Sequence, residues 1–349
     1  MTLEEILKNE PTFRRQQIYL AWFEKGLNSF ADITTISKNL RDQLKDEPWM
    51  TVKAKVLQQS AKDGTRKALI ELSDGRTIET VLMPRKSKKE EQNWQMPLRY
   101  TVCVSSQVGC PMACAFCATG KLGLKRNLTY REIVDQLRFW QQVLWAEGKN
   151  EQVENIVLMG QGEPLLNYDH VKLALQIFTK FAKIGPRKIT LSTVGVIPSM
   201  ERMVTDTDFP PVRFALSLHS ATEESRTSII PSTKPGFLDF LVEWSKKYHA
   251  TFKSRAHFIG LEYIMLKGVN DDDKHLKALI KLSSKLGLVR INLIPYNPGG
   301  CADEFQGTDI DVIKKWQQKI NDHGMVCTIR LSQGLDIDAA CGQLANKNQ

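Results

Sequence analysis

Apolar and polar positions change their period twice along this chain, and each change marks a different kind of element. Over residues 1–47, Phe13, Ile18, Leu20, Ala21, Phe23 and Leu27 form an apolar stripe at helical spacing. Phe30–Ile36 restarts the chain toward a further helix, Ser37–Asp46. From residue 51 the pattern alternates. Val52–Gln58, Lys67–Leu72 and Thr77–Met83 read as strands, and Asp63-Gly64 and Asp74-Gly75 suit the hairpin turns of a small antiparallel meander. Arg85–Pro97 is charged and aperiodic, as an exposed loop would be.

From Tyr100 onward short apolar runs alternate with longer amphipathic ones. Strands are expected at Tyr100–Ser106, Asn155–Met159, Lys188–Ser192, Arg213–Leu218, His257–Met265, Arg290–Ile294 and Val326–Arg330. Helices are expected at Thr129–Ala146, Tyr168–Phe181, Leu238–Tyr248, Asp271–Leu286 and Asp309–His323. This alternation predicts an α/β fold with a parallel sheet under helices. About six units are too few for a closed eightfold barrel, so a partial (β/α)6 barrel is expected. The chain then divides into a helical accessory domain (1–50), a β meander with charged linker (51–98) and the α/β core (99–349).

Composition changes this picture little: 349 residues, 42% hydrophobic and 25% charged, are ordinary for a globular protein. The opening Met1-Thr-Leu-Glu-Glu-Ile is acidic, and no run nears the roughly eighteen apolar residues of a membrane span. Neither a leader nor a membrane partner is expected. Three of the seven cysteines cluster and the rest scatter, which is no secreted disulfide framework and points to a reducing cytoplasm. Charge adds more. A formal +9 favours a polyanionic partner, nucleic acid first. Arg14, Arg15, Lys38, Arg41 and Lys45 decorate the first helices, as a solvated face or as an RNA-docking surface. Lys121, Lys125 and Arg126, with the Arg85–Lys89 run, lie nearer the chemistry.

That chemistry begins at Cys110-Pro-Met-Ala-Cys114-Ala-Phe-Cys117. C-x3-C-x2-C lets one loop wrap three thiolates around one inorganic centre. Structural zinc wants a fourth ligand, yet the next cysteine is Cys301. A [4Fe–4S] cluster on three thiolates keeps one iron open. Further candidates fall at strand ends, where parallel α/β sheets carry ligands. They are Gly160-Gln-Gly162-Glu163, Ser192, Ser217-Leu218-His219 and Asn297. The glycines would allow close backbone approach to a ligand, and Glu163 would accept from an ammonium. Near the end, Cys341 stands in a polar, glycine-flanked segment, as a buried free thiol or as a nucleophile. Cys301 and Cys327 read as inert thiols.

The three-cysteine spacing, with Phe116 before the last cysteine, resembles the radical S-adenosylmethionine (SAM) superfamily. Glu79-Thr-Val81, Cys103-Val-Ser-Ser-Gln-Val-Gly-Cys110, Lys125-Arg-Asn-Leu-Thr129, Met159-Gly-Gln-Gly-Glu163, Ser217-Leu-His219, Gly268-Val-Asn-Asp271 and Asp336-Ile-Asp-Ala-Ala-Cys341-Gly-Gln-Leu344 together resemble the RlmN/Cfr family. The resemblance covers nearly the whole chain, with Gln161 standing where most members carry Met.

The resemblance implies a radical SAM barrel in which Cys110, Cys114 and Cys117 hold the cluster. It assigns SAM contacts to Gly162, Glu163, Ser192, Ser217, Leu218, His219 and Asn297. Two SAM molecules are used per turnover, one to methylate Cys341 and one as radical source. Cys103 then closes a disulfide with Cys341, and Glu79 accepts a proton. The implied target is adenine C2 in 23S ribosomal RNA, with tRNA as a further substrate. An external reductant would restore the dithiol, and the enzyme would be a monomer. Alternatives are C8 methylation of the same adenosine, a radical SAM reaction on a peptide or small molecule, and a non-catalytic metal-bound RNA-binding protein. The scheme also requires the C-terminal segment to lie across the barrel mouth and to move, because Cys103 and Cys341 are remote in sequence.

Overall fold

The computed structural model describes residues 3–85, 99–149, 151–298 and 305–345. The linker beyond Arg85 and the expected inert Cys301 lie outside the described residues. The N-terminal unit holds α1 (Leu3–Leu7), α2 (Thr12–Ala21) and α3 (Lys38–Gln43). Of its expected apolar stripe, Ile18 and Ala21 are buried, but Phe13 and Leu20 face outward at 52% and 43% exposure. The inner face is built by Leu3, Trp22, Phe30 and Leu40 instead, because α2 ends at Ala21 and the chain turns at Trp22.

The meander strands are β1 (Val52–Gln59), β2 (Arg66–Leu72) and β3 (Thr77–Arg85), with the expected antiparallel pairing. The core begins with β4 (Arg99–Cys103), then β5 (Gln107–Gly109), α4 (Ala118–Lys121), β6 (Leu124–Asn127) and α5 (Tyr130–Ala146). It continues as β7 (Val153–Leu158), α6 (Tyr168–Lys180), β8 (Ile189–Thr193), α7 (Ile197–Thr205), β9 (Arg213–Ser217), α8 (Glu223–Ile229) and α9 (Phe237–Thr251). The last elements are β10 (Ile259–Met265), α10 (Asp273–Lys285), β11 (Val289–Pro295), α11 (Ile310–Asp322) and β12 (Val326–Ile329). Among the described residues no helix is long and apolar enough to cross a membrane.

One ten-stranded sheet runs in the order β1-β2-β3-β4-β7-β8-β9-β10-β11-β12. Pairing is antiparallel up to β4 and parallel from β4 to β12. Six β/α units and a last strand thus form the partial barrel, and β3 extends the same ladder through its pairing with β4. The sheet curls. Val157, Thr190, Ala215, Gly260, Ile294 and Thr328, each from a different strand, line one cavity of about 600 Å³. Expected strand ends differ where polar groups take over: Ser105 N–H donates to Gln136 Oε1 (2.7 Å) and Ser106 N–H to the Gln161 carbonyl (2.8 Å), so β4 stops at Cys103.

Helix α5 carries the joint between the N-terminal unit and the barrel. It starts on a capping box: Thr129 Oγ1 accepts from Glu132 N–H, and Glu132 Oε2 accepts from Thr129 N–H. One turn later, Asp135 Oδ2 accepts from Thr51 N–H and Oγ1, both at 2.7 Å, and Oδ1 from Arg138. Arg138 is itself buried, donates to the carbonyls of Trp22 and Trp49, and lies over both indoles. Removing Asp135 leaves this guanidinium buried without its anion. Asp135→Ala is expected to cost about 3–5 kcal/mol in urea unfolding; a loss below about 1 kcal/mol would show that the pair is not what fastens the unit.

Candidate active site

The three-cysteine loop is framed by elements that periodicity did not predict. Hairpin β5–β6 pairs Val108 with Arg126 and Gly109 with Leu124, and Cys110 N–H donates to the Gly123 carbonyl at 3.1 Å. Gly109 has φ +76°, and a Cβ there would lie 1.8 Å from the Gly123 oxygen, so only glycine fits. Helix α4 starts on Cys117, and Ala115 N–H donates to the Ile229 carbonyl at the end of α8 (2.9 Å). Cys114 packs in an apolar collar with Met112, Ile229, Ile230, Ile264 and Tyr296, against which Cys110, Phe116 and Cys117 also rest.

Burial in this collar pushes all three thiols up, Cys110 to about 12. Cys114 is raised further by the charges of Cys117 and Cys110. Deprotonating the set therefore needs a cationic group among the sulfurs. Among the described residues no three His, Cys, Asp or Glu side chains converge tightly enough to hold a single metal ion. An all-thiol set on one loop, without a closing fourth ligand, fits a [4Fe–4S] cluster with one open iron.

The strand-end residues gather above this loop. Glu163 is buried; Oε1 accepts from Leu165 N–H and Oε2 from Val194 N–H, each at 2.9 Å, so the carboxylate ties the end of β7 to the end of β8. Desolvation raises its pKa. The glycines beside it have another reason than the ligand approach expected from sequence. A Cβ on Gly162 (φ +100°) would meet Gln107 Cβ at 2.5 Å, and one on Gly160 would meet Ser105 Oγ at 2.7 Å. Ser192 and Ser217 hydroxyls face each other at 3.4 Å. Leu218 is buried, its N–H bound to the Glu262 carbonyl. His219 stands edge-on to Phe116, and its Nδ1 accepts from Ile264 N–H (3.0 Å), which leaves the proton on Nε2. Burial, then the Arg226 charge, lowers its pKa to about 3, so the ring is neutral. Asn297 Nδ2 donates to Ser332 Oγ at 2.7 Å and to the Cys341 carbonyl at 3.4 Å.

The C-terminal segment 331–345 lies across the mouth as expected. Gly334 N–H donates to Asp63 (2.8 Å), Gln333 to the Pro84 carbonyl (3.3 Å), and Ala118 N–H to the Gly342 carbonyl (2.8 Å). Cys341 is exposed and Cys103 buried, both as free thiols on the wall of the 600 Å³ cavity. They are electrostatic neighbours. Burial first, and the charge of Cys341 second, push Cys103 up to about 12. Cys341 also raises Cys117, and the bond from Ala118 N–H to the Gly342 carbonyl ties its segment to the cluster loop. Val81 packs with Cys103, Ala339 and Leu344, and Glu79 shares that face of β3 two residues earlier. Glu79 makes a buried ion pair with Lys67 (3.1 Å), and Lys67 also donates to the Asp338 carbonyl (3.3 Å).

Four functional candidates were missed from sequence. Lys67 looked like an ordinary strand residue. Arg226 sits on the unpredicted α8, buried, donating to Thr233 Oγ1 and the Val194 carbonyl. Glu262, a lone carboxylate within the apolar run of β10, was a legible signal. Arg330 follows β12 and stands 3.5 Å from Glu262. Conversely, Arg126 is an internal strut, bound to Asp74 and, through two nitrogens, to Glu132. Arg14 and Arg15 donate to backbone carbonyls of Thr35, Leu7 and Lys8. Lys125 is exposed.

Residues 104–280 match the family model of the radical SAM superfamily. Over 341 residues the chain is 36% identical to the dual-specificity RNA methyltransferase RlmN of Marinobacter nauticus, covering 97% of this chain and 88% of that protein. It is 37% identical over 356 residues to the protein of the same name from Nitratiruptor, covering 100% and 97%. A crystal structure of a radical SAM methyltransferase from Sphaerobacter thermophilus superposes with a TM-score of 0.84 at 33% identity, covering 99% of this chain and 97% of that one. Three thiols on one loop under a partial barrel, matched over nearly full length, lead to one conclusion: the chain belongs to the RlmN family of the radical SAM superfamily.

Proposed function

We propose that this protein is a radical SAM RNA methyltransferase that methylates C2 of an adenosine in 23S ribosomal RNA, with tRNA as a further substrate. It would act as a monomer in the cytoplasm, fed by an external reductant. The observation that carries this reading is that Cys103 and Cys341 share one cavity wall while the Cys341 segment is bonded to the cluster loop, Ala118 N–H to the Gly342 carbonyl and Thr119 Oγ1 to the Leu344 carbonyl.

Adenine C2 is an electron-poor carbon bearing hydrogen, so direct transfer of an electrophilic methyl group to it is unfavourable. A carbon radical removes that polarity problem. Bound on Cys110, Cys114 and Cys117, the cluster would supply the electron that opens SAM to a 5′-deoxyadenosyl radical. Cys341 would take a methyl group from a first SAM and lose one of its hydrogen atoms to that radical. The resulting S–CH2 carbon would add to C2 and tether the RNA, and the unpaired electron left on the ring would return to the oxidised cluster as the C2 proton leaves. Glu79 would receive the C2 proton, with Lys67 beside it and linked to the Cys341 segment through the Asp338 carbonyl. Cys103 would then attack the Cys341 sulfur, which requires α-carbons within about 6 Å; the S–S bond forms as the S–CH2 bond breaks, and the departing CH2 carbon takes up a proton to free the methylated base. Glu163, Ser192, Ser217, Leu218, His219, Asn297 and the Gly162 backbone would seat SAM. Phosphate contacts from exposed lysines such as Lys125 would make RNA affinity salt-dependent.

Anaerobic reaction of the protein with 23S RNA, SAM and reductant should give 2-methyladenosine on mass spectrometry of the digested RNA; 8-methyladenosine would overturn the C2 assignment. Cys341→Ala should keep the visible absorption of the cluster yet give no methylated RNA, whereas full turnover would exclude the thiomethylene route. Cys114→Ala should lose iron, sulfide and the visible absorption together. Stoichiometric zinc in the wild-type protein would instead favour the non-catalytic reading.

A further inference from the structure

The cavity wall beside the two cysteines carries a carboxylate with a vacant side. Glu262 is 5% exposed and lines the cavity. Its Oε1 accepts from Asn292 Nδ2 at 2.8 Å, and Asn292 Oδ1 accepts from Thr328 Oγ1 at 2.5 Å, so a relay of side chains on β11 and β12 fixes the carboxylate plane. Oε2 is buried and accepts no hydrogen bond. Its nearest charged neighbour is Arg330 Nη1, at 3.5 Å, beyond good hydrogen-bond reach. Arg330 Nη1 donates to the weak acceptor Met159 Sδ at 3.2 Å, and the side chain is about a third open, on the same cavity wall. A buried acceptor left unbonded is costly unless a ligand completes it. An acceptor and a cationic donor side by side match a ligand edge that presents a donor beside an acceptor.

We propose that Glu262 and Arg330 read the Watson–Crick edge of the target adenine, Glu262 accepting from the N6 amine and Arg330 donating to N1. The inference rests on the adenine reading of the site and sharpens it. Bases taken out of a stack are commonly read on this edge. C2 is bonded to N1, whereas C8 lies on the far side of the purine, so a base held this way turns C2 toward the wall that carries Arg330. The cysteines share that wall: Arg330 is an electrostatic neighbour of Cys341 first, then of Glu262 and Cys103. The same pair rejects guanine and hypoxanthine, whose O6 would face the carboxylate and whose N1–H would face the guanidinium. Ser217 stands beside Glu262 in the β9–β10 register, so a SAM ribose hydroxyl is the competing donor.

The test compares target RNA carrying adenosine with the same RNA carrying purine riboside, which lacks the N6 amine. Wild-type enzyme should use purine riboside with kcat/KM roughly 10- to 100-fold below adenosine. In Glu262→Ala, adenosine should fall to the purine level and the preference should collapse to about one; this comparison cancels the electronic effect of removing the amine. Equal use of both RNAs by wild-type enzyme overturns the proposal without any variant. A wild-type preference that persists in Glu262→Ala overturns it too, and a raised SAM dissociation constant in that variant would then assign the oxygen to SAM ribose. RNA-independent formation of 5′-deoxyadenosine by the variant checks that it is folded and loaded. Failure of the C2 reading itself is separately visible, as 8-methyladenosine from wild-type enzyme.

Discussion

A curled sheet whose last parallel strand does not pair with its first needs something else to close its lumen, and here the last residues of the chain do so. Among the described residues strand β12 pairs with β11 alone, and β4 is already paired on its other side by β3. Segment 331–345 bridges the gap with bonds to three separate bodies: the meander through Asp63, Lys67 and Pro84, the cluster loop through Ala118 and Thr119, and the end of β11 through Asn297 and Pro298. Most of these involve backbone groups, whose burial demands partners. The path of the segment is therefore over-determined, and Cys341 is held where the three bodies meet. The meander serves the same end. By extending the sheet past β4 it supplies the floor on which the segment rests, and it brings Glu79 and Lys67 to the cysteines' side.

Much of this was legible in the chain. The parallel strands announce themselves because burial on both faces demands runs such as Ile156–Leu158 and Leu261–Ile264, and the meander shows its Asp-Gly turns. What escaped was short or polar. Helix α8 has few apolar residues to mark a face, α7 is short and opens on Ile197-Pro198, and hairpin β5–β6 is set by contact between Gly109 and Gly123 rather than by pattern. The outward Phe13 and Leu20 show the opposite failure, a helical stripe read as longer than the helix that bears it. Cys103 and Cys341 could be joined beforehand only through family resemblance, since no local spacing relates two elements at opposite ends of a sheet.

The glycines at the end of β7 show why a motif and its physical cause must be kept apart. Gly160-Gln-Gly162 looks like room cleared for a ligand, yet the space of each missing side chain is filled by Ser105 or Gln107 from the turn after β4. Gln161 joins the same packing: its N–H donates to Ser105 Oγ, and its carbonyl accepts from Ser106 and Gln107. Glycine is needed there so that the turn leading to the three-cysteine loop can press against β7. Glu163 is then positioned by that contact and by its own bonds to Leu165 and Val194.

Two groups of sulfur lie in different surroundings under different electrostatic control. The three loop thiols lie in an apolar collar where burial dominates, Arg226 lowering Cys114 only as a lesser cause, so their ionisation is favourable chiefly when a cationic inorganic centre takes the protons' place. Cys103 is equally buried but has Arg330 in its field, which offsets part of the desolvation that pushes it to about 12. At neutral pH such a thiol is almost wholly protonated. Exchange with Cys341 needs the thiolate, so a dithiol in this setting resists adventitious attack while its neighbours are unchanged.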